Sequence, residues 1–329
     1  PPGAPVETAR GRRRGPPRAR HAPARARPRI RSPHDPSAEP VGVTDGGPSG
    51  GRRLRILMIT QVFAPEMGAL ANRLEPFARG LSDAGHEVFV ATGMPNYPRG
   101  EVFPEYRGRR TMRERRGGAT VIRTINYMTP RNVSRGGQLA SYLTFVPASF
   151  AGAMRAGPLD VVFVTSPPLF PVISAMGVAT ARRAKLVLDL RDLWPDEIVA
   201  VGAGEEGSPA VRAMRMLERS AYRRADMITC TTREFMRTVE ERGARRGKLV
   251  YLPNGADLSL FHPRAADNPV AAGYGFGDRF VVMYSGLLGI KHGLEAVVEA
   301  ADLLRGRPDI LFFLRGDGPR RAALEQMVA

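Results

Sequence analysis

The chain has 329 residues, 43% of them hydrophobic, enough apolar material for about two packed domains and too much for a wholly disordered polymer. Its formal net charge of +17 would suggest nucleic acid if it were gathered on one folded face, but the first 53 residues carry 12 arginines against 4 acidic groups, and no aromatic ring that could stack on a base. One cysteine, Cys230, excludes an internal disulfide and a multi-cysteine metal site, and fits a reducing cytosolic setting.

Residues 1–53 are rich in arginine and proline and show no hydrophobic period, so a disordered tail is predicted there. The first methionine is Met58, inside the first predicted strand, which suggests a fragment or a misplaced reading-frame start. The remaining basic excess is spread thinly over the chain and would favour anionic membranes or nucleotide phosphates.

Arg55–Thr60 (RILMIT) is an apolar run of strand length, and a helix is predicted from about Leu70 to Ala84, ended by Gly85. Glu87–Ala91 is a second strand, so the chain opens with the strand–helix–strand unit that builds parallel sheets. The loop between them holds Glu66 and Gly68 at a strand end, where ligands bind in such sheets. Residues 92–108, with Asn96 and Tyr97, are rich in proline, glycine and aromatics. They are expected to be an ordered, irregular loop, a kind that is often functional.

Ala119–Ile125 reads as another strand, and Gln138–Met154 as an apolar helix interrupted by Pro147. That helix has no charged residue but is short of the roughly 20 apolar residues of a membrane span. A buried or surface-docked helix is expected instead. Val161–Ala181 divides at Ser166-Pro167-Pro168 into a strand and a helix, and no transmembrane segment is predicted.

Leu186–Leu190 is a strand running into RDLWPDE, which contains the only tryptophan, Trp194, at the strand's C-terminal end. Active-site groups concentrate at that edge of a parallel sheet; the alternative is a solvated loop with Trp194 as a packing anchor. Gly202, Gly204 and Gly207 spell G-x-G-x-x-G, but no acidic residue follows to hold a ribose, and the segment reads as a loop. Pro209–Arg223 is helical behind a Ser208 cap, with Met214, Leu217 and Ala221 on one face. Met227–Cys230 is a strand with a buried thiol, Arg233–Glu241 a helix and Leu249–Leu252 a strand. A turn at Pro253–Asp257 and a polar passage near 264–278 lead toward a second domain.

Phe280–Gly293 (FVVMYSGLLGIKHG) runs from an apolar strand through a glycine-spaced loop into a helix predicted over Leu294–Leu304. Free amides at a helix start, glycines that allow close approach (Gly286, Gly289, Gly293) and the Lys291 cation are what a phosphate site uses. Glycines serving only the turn are the alternative.

The ordered pieces FAPEMGALANR (63–73), MPNYPRG (94–100), SPPLF (166–170), DLRDLWPDE (189–197), LPNGADLSLFHP (252–263), YSGLLGIKHGLEAV (284–297) and LRGDGP (314–319) resemble the retaining GT-B glycosyltransferases of family 4. The likeness is greatest to bacterial enzymes of polysaccharide synthesis similar to the fucosamine transferases. The resemblance implies an α/β fold with two Rossmann-like domains. The tail over 1–53 would precede an acceptor-binding parallel-sheet domain over 54–263, a linker over 264–273 and an incomplete nucleotide-sugar domain over 274–329.

The implied reaction moves a sugar, with retention, from a nucleotide-sugar donor to a cell-surface polysaccharide or a polyprenyl-linked acceptor, with no metal or other cofactor. It would run in the cytoplasm, peripherally at the inner face of the cytoplasmic membrane, where the basic surface would meet anionic lipid. Ser285, Gly286, Lys291, Gly316, Asp317 and Gly318 would bind the donor. Glu66, Gly68, Arg73, Asn96, Tyr97 and Trp194 would bind the acceptor, and Arg191 and Asp192 are the catalytic candidates.

The chain departs from the family pattern at three points. Leu287 stands where the family has arginine, Lys291 is displaced by one position, and Arg191 replaces a frequent histidine. The acidic pair that holds the donor's sugar and ribose should follow beyond Ala329, so a C-terminally truncated chain with a stub second domain is expected. The rival expectation is a non-catalytic binding protein that keeps the sheet and has lost donor chemistry. A nicotinamide-dependent oxidoreductase is disfavoured because no strand–turn–helix has the full glycine fingerprint with its acidic partner, and nucleic acid is not an expected partner.

Overall fold

The computed structural model describes residues 52–96, 100–128, 135–200, 202, 204–255, 261–263, 265, 268–289 and 292–328. The tail predicted over 1–53 lies outside these residues except at its last two positions. β1 (Arg55–Ile59) leads to α1 (Ala69–Asp83), and Gly85, with φ at +88°, turns the chain into β2 (Glu87–Gly93). β3 (Thr111–Arg116) and β4 (Ala119–Thr124) pair antiparallel, and α2 (Arg135–Ala153), β5 (Val161–Ser166), α3 (Pro171–Arg182) and β6 (Lys185–Leu190) follow. α4 (Trp194–Ala200), α5 (Pro209–Arg224), β7 (Met227–Cys230), α6 (Arg233–Glu241) and β8 (Leu249–Tyr251) complete this part.

The eight strands form one sheet in the order β3-β4-β2-β1-β5-β6-β7-β8, parallel except for β3. Along β1, Leu57 and Ile59 enter one core cluster and Met58 the other. Both faces are covered, which explains why these strands read as continuous apolar runs. α1 packs Leu74 and Ala78 on one face; α2, α3, α5 and α6 pack Phe145, Ala175, Ala221 and Val239 on the other.

After α7 (Pro269–Gly273), capped by the Asn268 side chain, comes a second sheet, in which β9 (Phe280–Ser285) and β10 (Ile310–Arg315) pair in parallel. α8 (Glu295–Leu303) joins the two strands and α9 (Arg321–Val328) follows them. Their buried cluster among the described residues is small, made of Leu288, Leu294, Val298 and Leu324.

Several expectations are corrected. β3 went unpredicted because TMRERR has no apolar alternation; it exists as an edge strand because β4 offers it a partner. The segment expected to be irregular over 92–108 begins with the last residues of β2 and contains a 3₁₀ turn at Pro104–Tyr106 that buries Tyr106. A helix, α4, occupies the stretch at Trp194 for which a solvated loop was the alternative, and α7 lies within residues 264–273. α2 runs unbroken through Pro147, which, like Pro76 in α1, lies on an exposed side where the ring has room and a freed carbonyl meets water. No described helix is long and apolar enough to cross a membrane.

Candidate functional site

Strand order reverses between β1 and β5. The chain moves outward through β2 and β4 on one side and through β6, β7 and β8 on the other. Ligands of doubly wound sheets bind beyond the carboxyl ends of the strands at such a point. Register then builds the chemistry, because Thr165 pairs with Asp189 across β5 and β6, and Asp189 with Thr229 across β6 and β7. The three side chains form one row at the strand ends, on the face that α1 covers.

Asp189 is fully buried and accepts four hydrogen bonds. Arg73 of α1 donates two, at 2.7 and 3.1 Å, and the hydroxyls of Thr165 and Thr229 donate at 3.0 and 2.7 Å. A bidentate guanidinium and two hydroxyls saturate the carboxylate. Arg191 therefore stands apart, its Nη1 3.9 Å from Asp189 Oδ1, and this Nη1 is buried without a hydrogen-bond partner. A buried donor left unpaired costs about 1–3 kcal/mol. Burial, and after it the nearby Arg73 charge, lowers the Arg191 pKa from the usual guanidinium value. The backbone amide of Arg191 donates to the Ser166 carbonyl at 2.8 Å, tying the loops after β5 and β6 together.

The loop after β1 is held by its own acid. Glu66, 2% exposed, accepts from the backbone amides of Phe63 at 3.1 Å and Asn96 at 3.0 Å, joining the loops that follow β1 and β2. Asn96 also donates from its side chain to the Met94 carbonyl. Gly68 caps α1 with no side-chain bond, which leaves Arg73 one turn further on to reach Asp189. Beneath this loop, the fully buried Arg123 donates to Glu114 and to the carbonyls of Gly93 and Ala64, and its guanidinium lies 5.1 Å from the Tyr106 ring centroid.

Trp194, at the start of α4, meets the Phe170 and Tyr142 rings edge-on, each at 5.6 Å. α4 is pinned from behind, as Asp196 pairs with Arg215 of α5 at 3.0 Å and with Arg242 beyond α6. Asp192 is exposed on the loop before Trp194. Glu66, Asn96, Arg73, Arg191 and Trp194 thus all stand at strand ends or on the helices that cover them, whereas Tyr97 and Lys291 lie outside the described residues. Sequence reasoning missed Asp189, Thr165 and Thr229. A charge inside the apolar strand KLVLDL was the available signal for Asp189, but the threonines become visible only through register.

In the second sheet the loops after β9 and β10 lie against one another. Gly286 N donates to Arg315 O, Leu288 N to Asp317 O and Arg320 N to Leu288 O. A Cβ at Gly316 would stand 1.8 Å from the Gly286 carbonyl oxygen, and one at Gly318 2.5 Å from that of Leu288. Loop packing alone therefore requires both glycines. The Asp317 side chain accepts from the Gly318 amide, and Ser285 and Gly286 are exposed. Glu295 in the first turn of α8 pairs with Arg320 at 2.5 Å; the carboxyl's own backbone amide, and then Arg320, hold its pKa below the usual range. Among the described residues no group of three or more His, Cys, Asp or Glu could hold a metal ion.

Comparison with known proteins fits this architecture. Residues 68–255 match the family described as glycosyl transferase 4-like domain. The chain is 30% identical over 282 residues to the putative colanic acid biosynthesis glycosyl transferase WcaI of Escherichia coli K12, covering 83% of this chain and 68% of that protein. It is 34% identical over 116 residues to alpha-D-kanosaminyltransferase of Streptomyces kanamyceticus, covering 34% of this chain and 30% of that enzyme. Two solved structures share the fold: sucrose-phosphate synthase from Thermosynechococcus elongatus (TM-score 0.59, 18% identity) and Anabaena Alr3699/HepE in complex with UDP and glucose (TM-score 0.55, 17% identity). Each match covers 84% of this chain and 66% of the solved one, so this chain spans about two thirds of their length. With the family match over more than half of its residues, the chain belongs to the glycosyl transferase 4-like family.

Proposed function

We propose that this chain is part of a glycosyltransferase that moves a sugar from a nucleotide-sugar donor to a saccharide or polyprenyl-linked acceptor in bacterial surface-polysaccharide synthesis, with retention and without a metal. The observation that carries the reading is the cluster of Arg73, Asp189 and Arg191 at the carboxyl edge beside the strand reversal, in a chain of this family. In the reaction the bond from the anomeric carbon to the diphosphate oxygen breaks, the acceptor oxygen takes that carbon, and the acceptor's proton leaves with the nucleoside diphosphate. Charge grows on the departing diphosphate, and fixed cations and amide dipoles lower the barrier by meeting it there.

Residues 54–263 would take the acceptor, with Glu66 and Asn96 fixing the loops, Gly68 and Arg73 at their base and Trp194 at the rim, and Tyr97 is a further acceptor-binding candidate. Residues 274–329 would begin the donor domain, with Ser285, Gly286 and Lys291 near the diphosphate. Gly316, Asp317 and Gly318 would support that loop, and Arg191 and Asp192 would face the reacting centre. Work at the inner membrane face is supported by α2, which exposes Leu139 and Leu143, and by Ile125 and Tyr127 in a loop tied to it through Tyr127 N and Thr144 Oγ1 at 3.1 Å. Apolar side chains in such a patch bind lipid surfaces.

The test is to incubate the full chain with UDP-, GDP- and ADP-sugars and short polyprenyl phosphates carrying a sugar, and to measure nucleoside diphosphate release. Acceptor-dependent release is expected; no release from any donor, with no saturable nucleotide binding, would remove the reading. A second reading, nucleotide binding without turnover, is favoured by the exposed Leu287 and by the Glu295 carboxylate at the start of α8. Saturable binding with no release would select it.

A further inference from the structure

We propose that the cluster at the carboxyl ends of β5, β6 and β7 is a phosphate or diphosphate site, in which Arg191 contacts the anion, Arg73 adds a second positive charge and Asp189 positions both. The proposal deepens the transferase reading and rests on it for which phosphate compound is bound, but not for the binding itself. The hydrogen-bond count carries it. Two guanidiniums converge on one carboxylate whose oxygens are already filled by Arg73, Thr165 and Thr229. Arg191 remains 3.9 Å away, with its side chain 12% exposed, and its Nη1 is buried without a hydrogen-bond partner among the described residues. Asp192, next in the chain, attracts it as well.

A structural ion pair does not need this surplus. One guanidinium satisfies Asp189, and a second, buried beside the first and short of partners, weakens the fold. Residues kept against stability mark sites whose missing partner is a ligand. A phosphate oxygen is the partner that fits, since it brings negative charge and several acceptors to a planar fork of donors. The position agrees, because Arg191 follows directly on β6, at the carboxyl edge beside the strand reversal.

The experiment titrates the full chain with inorganic pyrophosphate and reads Trp194, the only tryptophan and three residues from Arg191, by fluorescence, with thermal melts in parallel. Wild type is expected to bind saturably and to melt higher with pyrophosphate. Arg191→Met should bind at least tenfold more weakly while melting, without ligand, at or above the wild-type temperature; Arg191→Lys should keep part of the affinity. Unchanged binding in Arg191→Met would overturn the proposal. So would a lower melting temperature in that variant together with no pyrophosphate effect on wild type, the signature of a purely structural arginine.

Separate titrations with UDP and with farnesyl diphosphate identify the source: the compound that loses affinity in Arg191→Met owns the phosphate, and loss for neither refutes the site. Pyrophosphate binding through Arg191 without nucleoside diphosphate release would keep the site and remove the transferase reading. Release without such binding would do the reverse.

Discussion

Replacing Asp189 by asparagine tests the row at the strand ends most directly. The substitution keeps the shape but removes the carboxylate that is salt-bridged to both the Arg73 and Arg191 guanidiniums, whose side chains are 20% and 12% exposed. One amide position becomes a donor. Thr165 and Thr229 can rotate their hydroxyls to accept from it, but a guanidinium cannot, so Arg73 loses at least one of its two bonds. Removing one member of a buried pair costs about 3–5 kcal/mol.

With a urea slope of about 2 kcal/mol per molar, the unfolding midpoint should fall by about 2 M. The assay is urea unfolding of the full chain followed by Trp194 fluorescence and far-UV circular dichroism. Adding Arg191→Met to Asp189→Asn should restore about 1 kcal/mol, because one of two cations without a counter-charge is then gone. A midpoint shift below ~0.5 M, under about 1 kcal/mol on the same slope, would refute the argument that Asp189 holds these charges together.

Two further outcomes are expected. Gly316→Ala drives a Cβ into the Gly286 carbonyl and should expose residues 280–328 to protease and abolish nucleotide binding. Gly286→Ala, whose Cβ would meet the Tyr284 side chain, nearest at its hydroxyl at 3.2 Å, should be milder, and equal protease resistance of Gly316→Ala and wild type would count against the packing. Cys230 is buried, and burial, with Asp189 nearby as the lesser cause, pushes its thiol up to about 11. It should therefore resist alkylation at pH 8 in the folded chain and react readily in urea. The folded value lies above the unfolded one, so the thiol's contribution to stability is whole below about pH 8.5 and lost as pH rises toward 11. Rapid labelling of the folded chain at pH 8 would contradict the burial.

Much of the fold was legible in local pattern. β1, β5, β6, β7 and β9 are apolar runs of strand length, and α5 and α6 carry their cap residues, Ser208 and Thr232, at the first position, so the parallel architecture followed from residues close in sequence. The resemblance spread over 63–319 led to the glycosyltransferase family, and the match over 68–255 agrees. Glu66 and Trp194 were noticed because they sit where strands end, and Arg73 and Arg191 were named through the resemblance.

The tertiary structure decided what each of these residues does. β3 exists because β4 lies beside it, Arg123 is buried because two strand-end loops and Glu114 converge on it, and Gly316 is needed because a loop some thirty residues earlier rests upon it. The Asp189 row is assembled from β5, β6, β7 and α1, and the surplus charge on Arg191 appears only when the carboxylate's four bonds are counted. Propensity and hydrophobic period act over a few neighbouring residues and can be read along the chain. Register, loop-on-loop contact and the sharing of one carboxylate between two cations join residues from 24 to 116 positions apart, and these are fixed only when the strands pack side by side.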